Sequence, residues 1–267
     1  MTLVTLGRIV IWATVGLLAG GFRPLFAQSA DELAKQTQNP VASLISVPFQ
    51  GNWDFGIGDR EATGTLLNIQ PVAPFALTST WNVILRVIMP VQSQPAEDGQ
   101  RFTGMGDTTM TVFFSPAKTG KVIWGVGPAF LIPTATNQNL GTEKFGLGPS
   151  VVALVQPGKW TVGALWNQIW SVDGANDRDD VNQMYLQPFS NYNLGQGLAL
   201  GASMEASTNF EADEDRWTSF LLFSISKVTL LGKRPVSFLA GGGPAVASPT
   251  GRPDWRLRFA STFLFPR

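Results

Sequence analysis

The 267-residue sequence contains no cysteine and no histidine, and charged residues make up only 14% of it. A chain without cysteine has no disulfide, no thiol nucleophile and no thiolate metal site. A chain without histidine lacks the commonest general base and the commonest metal ligand. The 19 basic residues are matched by 19 acidic ones, so the excess positive charge of nucleic-acid-binding proteins is also missing. The composition therefore predicts no nucleic-acid partner, no cofactor, no metal and no histidine-dependent enzyme.

The N-terminus has a single positive charge, Arg8, followed by the uncharged residues 9–21. This pattern is typical of a secretory signal peptide, and the run is shorter than the ~20 residues that a transmembrane helix needs. We therefore predict a cleaved signal peptide over residues 1–27, with an N-terminal anchor helix as the alternative. The polar residues 28–41 predict a flexible lead-in, and residues 42–267 are predicted to form a single domain.

From residue 43 onward, apolar and polar side chains alternate with the period of two that is typical of β-strands. In the clearest segment, one face carries Trp81, Val83 and Leu85, whereas Asn82 and Arg86 lie on the other. An even number of such segments is what an up-and-down barrel with both termini on one side requires. We predict twelve strands, at 43–55, 64–77, 81–94, 106–115, 121–133, 144–156, 159–172, 180–193, 197–210, 216–227, 234–247 and 254–265.

The predicted connections fall into two classes that alternate along the chain. Those after even-numbered strands are short and carry basic residues such as Lys118, Lys159 and Lys233, whereas those after odd-numbered strands are mostly longer and hold most of the acidic residues. Short turns at one rim and long loops at the other are typical of outer-membrane barrels. The sequence therefore predicts an all-β fold, a twelve-stranded antiparallel up-and-down transmembrane β-barrel, in the outer membrane of a Gram-negative bacterium. A secreted β-sandwich, the alternative, explains neither asymmetry.

Short motifs spread over Val47–Arg267 resemble those of a family of Gram-negative outer-membrane barrels. They are Gly56–Asp59, Leu67–Val72, Gly104–Thr108, Phe113–Pro116, Trp124–Pro128, Pro133–Thr136, Trp166–Ser171, Leu186–Phe189 and Thr262–Arg267. The family is named for the MetA pathway of phenol degradation, and its members are described as transporters. The resemblance implies an outer-membrane barrel that passes hydrophobic or aromatic compounds, without catalytic residues. It also implies recognition by the barrel-assembly machinery, through an aromatic residue, Phe265, that lies two positions before the end.

The predicted inward face of the barrel carries six charged residues, which are Asp54, Arg86, Asp107, Glu205, Arg256 and Arg258. Closure of the barrel makes the first and last strands neighbours, and we therefore expect an ion pair between Asp54 and Arg256 or Arg258. Two interpretations of these charges stay open. In the first, they line an open pore and select among solutes. In the second, they pair with one another and fill the interior, as side chains do in small barrels.

Ten prolines fall inside the predicted strands, although proline cannot donate a hydrogen bond to the ladder. Each is therefore expected at a rim, at a bulge or at a break in the ladder. Pro128 and Pro149, which follow Gly127 and Gly148, are expected to face each other in the middle of the wall. One interpretation is a lateral opening through which an apolar solute reaches the membrane. The preferred interpretation is a pair of bulges that curve the barrel.

The remaining chemistry of the sequence is sparse. A paired-carboxylate enzyme needs two facing acids, and Asp54, Asp107 and Glu205 lie on separate predicted strands with no reason to converge. The acidic loops 177–180 and 211–215 match no calcium-binding loop, so we expect solvated loops or loose contacts with lipopolysaccharide through divalent ions.

We predict a passive channel for a small apolar or aromatic solute. The alternative is a plugged barrel with a structural or surface-interaction role through its acidic loops.

Overall fold

The computed structural model describes residues 29–96, 98–211, 216–248 and 251–266. The predicted signal peptide lies outside these residues. Within them, a short helix precedes a series of strands. The elements are α1 (Ala30–Thr37), β1 (Ile45–Ile57), β2 (Ala62–Ile69), β3 (Val72–Ala76), β4 (Trp81–Pro95), β5 (Arg101–Met105), β6 (Thr108–Pro116), β7 (Val122–Ile132), β8 (Lys144–Val155), β9 (Trp160–Gly174), β10 (Asn182–Gly195), β11 (Leu198–Asn209), β12 (Trp217–Leu231), β13 (Arg234–Ala247) and β14 (Trp255–Phe265).

The strands form one antiparallel sheet that closes on itself. From β6 to β14 each strand pairs with its neighbours in chain order, and β1 pairs with β14 from Ile45 opposite Phe265 to Phe55 opposite Trp255. Closure leaves no unpaired edge along this seam, where an open sheet would expose backbone hydrogen-bonding groups. The fold is thus a closed antiparallel β-barrel, as the alternating sequence pattern predicted.

Two of the barrel strands are interrupted. β2 and β3 lie end to end along β4, as do β5 and β6 on its other side. Counting each of these two pairs as one barrel strand gives the predicted twelve. The first break falls at Gln70 and Pro71, and the second at Gly106 and Asp107. The predicted fourth strand began too late, because the polar, glycine-containing stretch Arg101–Met105 is typical of a loop and is held in the sheet by pairing with β4.

The outward face of the barrel is apolar and ends in tryptophans. Large apolar side chains such as Phe49, Phe75 and Leu200 are exposed on it, which is the surface that a hydrocarbon environment stabilises. An exposed tryptophan begins each of β4, β9, β12 and β14. Aromatic residues at strand ends form the interfacial girdles of membrane barrels.

The lumen changes character along the barrel axis. We call the rim with the connections after β3, β6, β8, β10 and β12 the short-turn rim, and the opposite one the long-loop rim. Near the short-turn rim, inward-facing apolar side chains pack against Val41. The members of this cluster are Val41, Ile84, Phe113, Val152, Leu154 and Leu165. The prediction of a polar lumen is therefore wrong for this half, because an inward leucine and an outward one look alike in an alternating sequence.

The N-terminal segment closes much of the short-turn rim. α1 begins with a capping box between Ser29 and Glu32, which satisfies free backbone N–H groups at the helix start. Leu33 is buried, and Lys35 Nζ donates a hydrogen bond to the Gly158 carbonyl at 2.6 Å. The prediction of a flexible lead-in at residues 28–41 is therefore corrected from residue 29 onward. No helix among the described residues is long and apolar enough to cross a membrane.

The facing prolines lie inside an intact ladder. Pro128 pairs with Pro149 within a continuous run of β7–β8 pairs. The irregularities fall on the outer sides of this pair, where the β6–β7 and β8–β9 ladders each skip residues. A Cβ atom at Gly127 would clash with the Val112 carbonyl oxygen, and one at Gly148 with that of Gln168. The backbones thus approach closely at these breaks. The strand register is the same on both sides of each break, and the one β8–β9 register shift lies at Phe145 and Gly146. Neither proline therefore lies at a bulge with an extra residue, and the lateral opening stays a prediction.

Candidate functional site in the barrel lumen

The seam of the barrel holds an ion pair. Asp54 on β1 lies opposite Arg256 on β14 in the ladder. Arg256 Nε donates to Asp54 Oδ1 at 2.6 Å, and Nη2 donates to Oδ2 at 2.8 Å. A two-pronged arginine–carboxylate pair of this kind is both strong and geometrically specific. The ion pair expected at the seam is therefore present, with Arg256 as the partner of Asp54.

Glu205 extends this pairing across the lumen. It lies on β11, which β12 and β13 separate from β14. Its two carboxylate oxygens accept hydrogen bonds from Arg258 Nη1 at 2.6 Å and Nη2 at 2.8 Å, and from Arg256 Nη1 at 3.2 Å. The side chains of all four charged residues are only 10–13% exposed. Two acids therefore meet on Arg256, contrary to the expectation that they would not converge.

Neutral side chains complete what we call the charge network, which consists of Asn52, Asp54, Gln187, Glu205, Arg256 and Arg258. Arg258 Nε donates to Asn52 Oδ1 at 2.7 Å, and Gln187 Nε2 donates to Glu205 Oε1 at 3.2 Å. The Arg256 guanidinium also lies 3.9 Å from the centre of the Phe220 ring. Charged groups out of water are stable only when each is paired and hydrogen-bonded. Two acids and two arginines make this network formally neutral.

Arg86 lies outside the charge network. It is on β4, on the wall opposite β11. Its Nη2 donates to Gln70 Oε1 at 3.1 Å, and within the described part of the chain it makes no ion pair. Its side chain is half-buried. Arg86 is thus a lumen cation whose charge has no paired acid.

Two cavities meet at Arg86. The upper cavity, of about 590 Å³, opens toward the long-loop rim, and the lower cavity, of about 160 Å³, lies between the wall and the segment after α1. Gln70, Arg86 and Gln187 line both. These three side chains form the floor of the upper cavity and the roof of the lower one.

The upper cavity has a positive lining. Five of its lining residues are arginines and one is a glutamate; they are Arg86, Arg216, Arg252, Arg256, Arg258 and Glu205. Apolar side chains complete part of the wall, namely Leu66, Ile88, Ile169, Met184 and the ring of Tyr185. Sequence analysis did not identify Arg216 and Arg252, because they flank acidic loops. Their positions next to predicted strand ends are the only signal that they reach the lumen.

Asp107 does not line the upper cavity. It lies at the break between β5 and β6, where its carboxylate accepts hydrogen bonds from the backbone N–H of Ala135 at 3.2 Å and of Thr142 at 2.6 Å. The Thr142 hydroxyl donates a third, at 2.8 Å. The carboxylate is therefore used to hold the long loop that follows β7. Asp107 was expected among the residues that line the lumen; its carboxylate is bound by this loop, and other residues line the upper cavity.

The acidic loop 177–180 shows local pairing, whereas residues 212–215 of the other acidic loop lie outside the described residues. Asp180 lies 3.1 Å from Lys144 Nζ, and hydrogen bonds from Lys144 and Ser171 lower the pKa of its carboxyl group. Arg178 lies 3.7 Å from Glu143. Across the described ranges, no cluster of three or more acidic side chains could hold a metal ion. Single ion pairs thus connect loop 177–180 to Glu143 and Lys144 at the start of β8.

Comparison with known proteins reveals relatives by fold. No family model matches the chain, and no curated protein matches it. An outer membrane channel from Pseudomonas putida F1 superposes with a TM-score of 0.63 at 16% identity, over 83% of this chain and 94% of that one. A monoaromatic hydrocarbon channel, CymD, gives a TM-score of 0.46 at 11% identity, over 95% and 97% of the two chains. The chain shares its barrel fold with the first of these channels.

Proposed function

We propose that the chain is an outer-membrane channel of a Gram-negative bacterium that passes a small apolar or aromatic solute without energy input. The observation that carries the proposal is the upper cavity, which lies inside a closed barrel and opens toward one rim. Its volume of about 590 Å³ lies within the ~300–1,000 Å³ typical of ligand pockets. The apolar outward face and its tryptophans support a membrane location. The motifs that resemble the MetA-pathway barrels support the solute class.

The proposed route follows the lumen. A solute enters the upper cavity from the long-loop rim, passes the floor formed by Gln70, Arg86 and Gln187, and reaches the lower cavity. The segment after α1 borders that lower cavity. Passage beyond it therefore requires this segment to move. We also propose that lipopolysaccharide surrounds the long-loop rim and that the barrel-assembly machinery inserts the barrel.

The plugged barrel is the second candidate function. The observations that favour it are the charge network, which crosses the lumen, and the packing of Leu33 and Ala34 at the short-turn rim. Both features narrow the path without filling the upper cavity. The structural role would then reside in the acidic loops at the long-loop rim.

Solute entry into lipopolysaccharide-containing vesicles tests the function and the route together. We expect vesicles with the barrel to admit a labelled monoaromatic compound faster than vesicles without it. The double variant P128V/P149V serves as the test of a lateral opening, and with a lumen route it should admit the solute at the wild-type rate. Loss of entry in this variant, with the barrel still folded, would instead establish the lateral opening at Gly127, Pro128, Gly148 and Pro149. Equal entry with and without protein would contradict a channel.

A further inference from the structure

We propose that Arg86 is the anion-binding residue of the upper cavity and that it takes the carboxylate of an aromatic or aliphatic acid. The proposal rests on the channel function and names a solute class for it. It follows from three features of the lumen, which are the charge of the lining, the donors that Arg86 leaves unused and the apolar wall around it.

Among the three buried or half-buried arginines of the lining, Arg86 is the one without an ion pair to the described residues. Arg256 and Arg258 are already paired with Asp54 and Glu205 at 2.6 Å. Arg86 shares the cavity with them but has only a neutral amide, that of Gln70, as its side-chain hydrogen-bond partner in the described residues. A cation partly removed from water is stabilised by a nearby anion. No acid among the described residues makes an ion pair with Arg86, and Glu205, whose charge acts on it, is already bound by Arg256 and Arg258. A bound solute can therefore supply the direct anionic partner.

The donors of Arg86 suit a carboxylate. A guanidinium has five N–H donors in a planar fork, and Gln70 Oε1 accepts from Nη2. No described residue accepts a side-chain hydrogen bond from the remaining donors, and Arg86 lines both cavities. A carboxylate matches such a fork with two parallel hydrogen bonds. Arg256 and Arg258 bind Asp54 and Glu205 in this way in the same lumen.

The apolar side chains around Arg86 favour a solute whose carboxylate is attached to an apolar body. Ile88, Ile169, Met184 and the ring of Tyr185 line the same cavity. A small inorganic anion would contact none of this apolar surface. A neutral hydrocarbon would leave the Arg86 guanidinium without an anionic partner. An acid with an apolar body uses both, and removing apolar surface from water stabilises its binding. The cavity of about 590 Å³ has room for one aromatic ring with its carboxylate.

Binding to the purified full-length mature barrel in detergent tests this site. The probes are benzoate, the neutral benzyl alcohol and formate, titrated calorimetrically at neutral pH. We expect benzoate to bind about tenfold or more tightly than either of the others, because only benzoate offers both a carboxylate and a ring. Equal affinity for benzoate and formate would identify a small-anion site, and equal affinity for benzoate and benzyl alcohol an apolar one. Either result would overturn the proposal.

Two variants locate the binding at Arg86. R86M removes the charge and should weaken benzoate binding by about tenfold or more while leaving benzyl alcohol unaffected. R86K keeps the charge, loses the fork, and should lie between R86M and wild type. The matched control is R101M, because Arg101 is exposed on β5 and bonds Ser93 and Thr63 outside the cavity. Wild-type affinity in both Arg86 variants would overturn the assignment. Entry of a neutral monoaromatic compound is measured separately, so the channel function can survive that result.

Discussion

The variant E205Q is expected to destabilise the barrel by about 3–5 kcal/mol, the range measured when one partner of a buried ion pair is removed. Glu205 is the acid that faces both Arg256 and Arg258, at 3.2 and 2.6 Å. Without its charge, only Asp54 remains to balance two arginines. The measurement is the urea midpoint of the refolded barrel, followed by tryptophan fluorescence.

Two further variants make the stability test specific. E61Q removes a carboxylate of the same type from an exposed position, where substitutions usually change stability by less than ~0.5 kcal/mol. The double variant E205Q/R258M removes one charge of each sign and leaves the Asp54–Arg256 pair intact. It should recover most of the loss, because replacing both partners of a buried pair is often nearly neutral. E205Q as stable as E61Q would show that the charge network contributes nothing to folding.

The variant L33D is expected to release α1 from the short-turn rim and to raise ion conductance through the barrel. Leu33 is 1% exposed and packs with Ala42, Leu44, Val228 and Leu264. Burying a leucine contributes about 1.5–3 kcal/mol, and an unpaired buried carboxylate adds a larger penalty. A helix of this length has little stability of its own without packing. We therefore expect α1 to leave the rim in L33D, because its release returns the introduced carboxylate to water.

Conductance and proteolysis report the undocking independently. In wild type, Lys35 is held by its bond to the Gly158 carbonyl, and trypsin should cut there more readily in L33D. The control L33M keeps the volume and apolar character of the side chain, and such exchanges usually cost less than ~1.5 kcal/mol. It should behave as wild type in both assays. L33D with a free helix and unchanged conductance would show that α1 does not limit the path.

The sequence specified the barrel because its determinants are local and repeated. Alternation assigns each side chain to a face, and the alternating turn lengths assign each connection to a rim. Closure then makes the first and last strands neighbours, which is why the sequence predicts an ion pair between Asp54 and Arg256 or Arg258, and Arg256 is the partner in the structure. The facing of Pro128 and Pro149 followed from counting residues up two adjacent strands.

The features that sequence analysis missed depend on distant contacts. α1 is short, and its partners lie far along the chain, as with Lys35 and Gly158. The reach of Glu205 across the lumen depends on the width of the barrel and not on any neighbour in sequence. Asp107 was assigned to the lumen lining by its parity, and the sequence did not indicate that the loop after β7 binds its carboxylate. The alternation of apolar and polar residues indicates the face to which each side chain points, but it does not indicate how much of the lumen the side chains fill.

Single-channel recording of the refolded wild-type barrel in a planar bilayer is the most direct test of the channel. Because arginines dominate the lining of the upper cavity, we predict small, discrete current steps that favour anions over cations. A bilayer that stays silent, although the inserted protein still shows the heat-modifiable migration of a folded barrel, would contradict the channel and support the plugged, structural barrel.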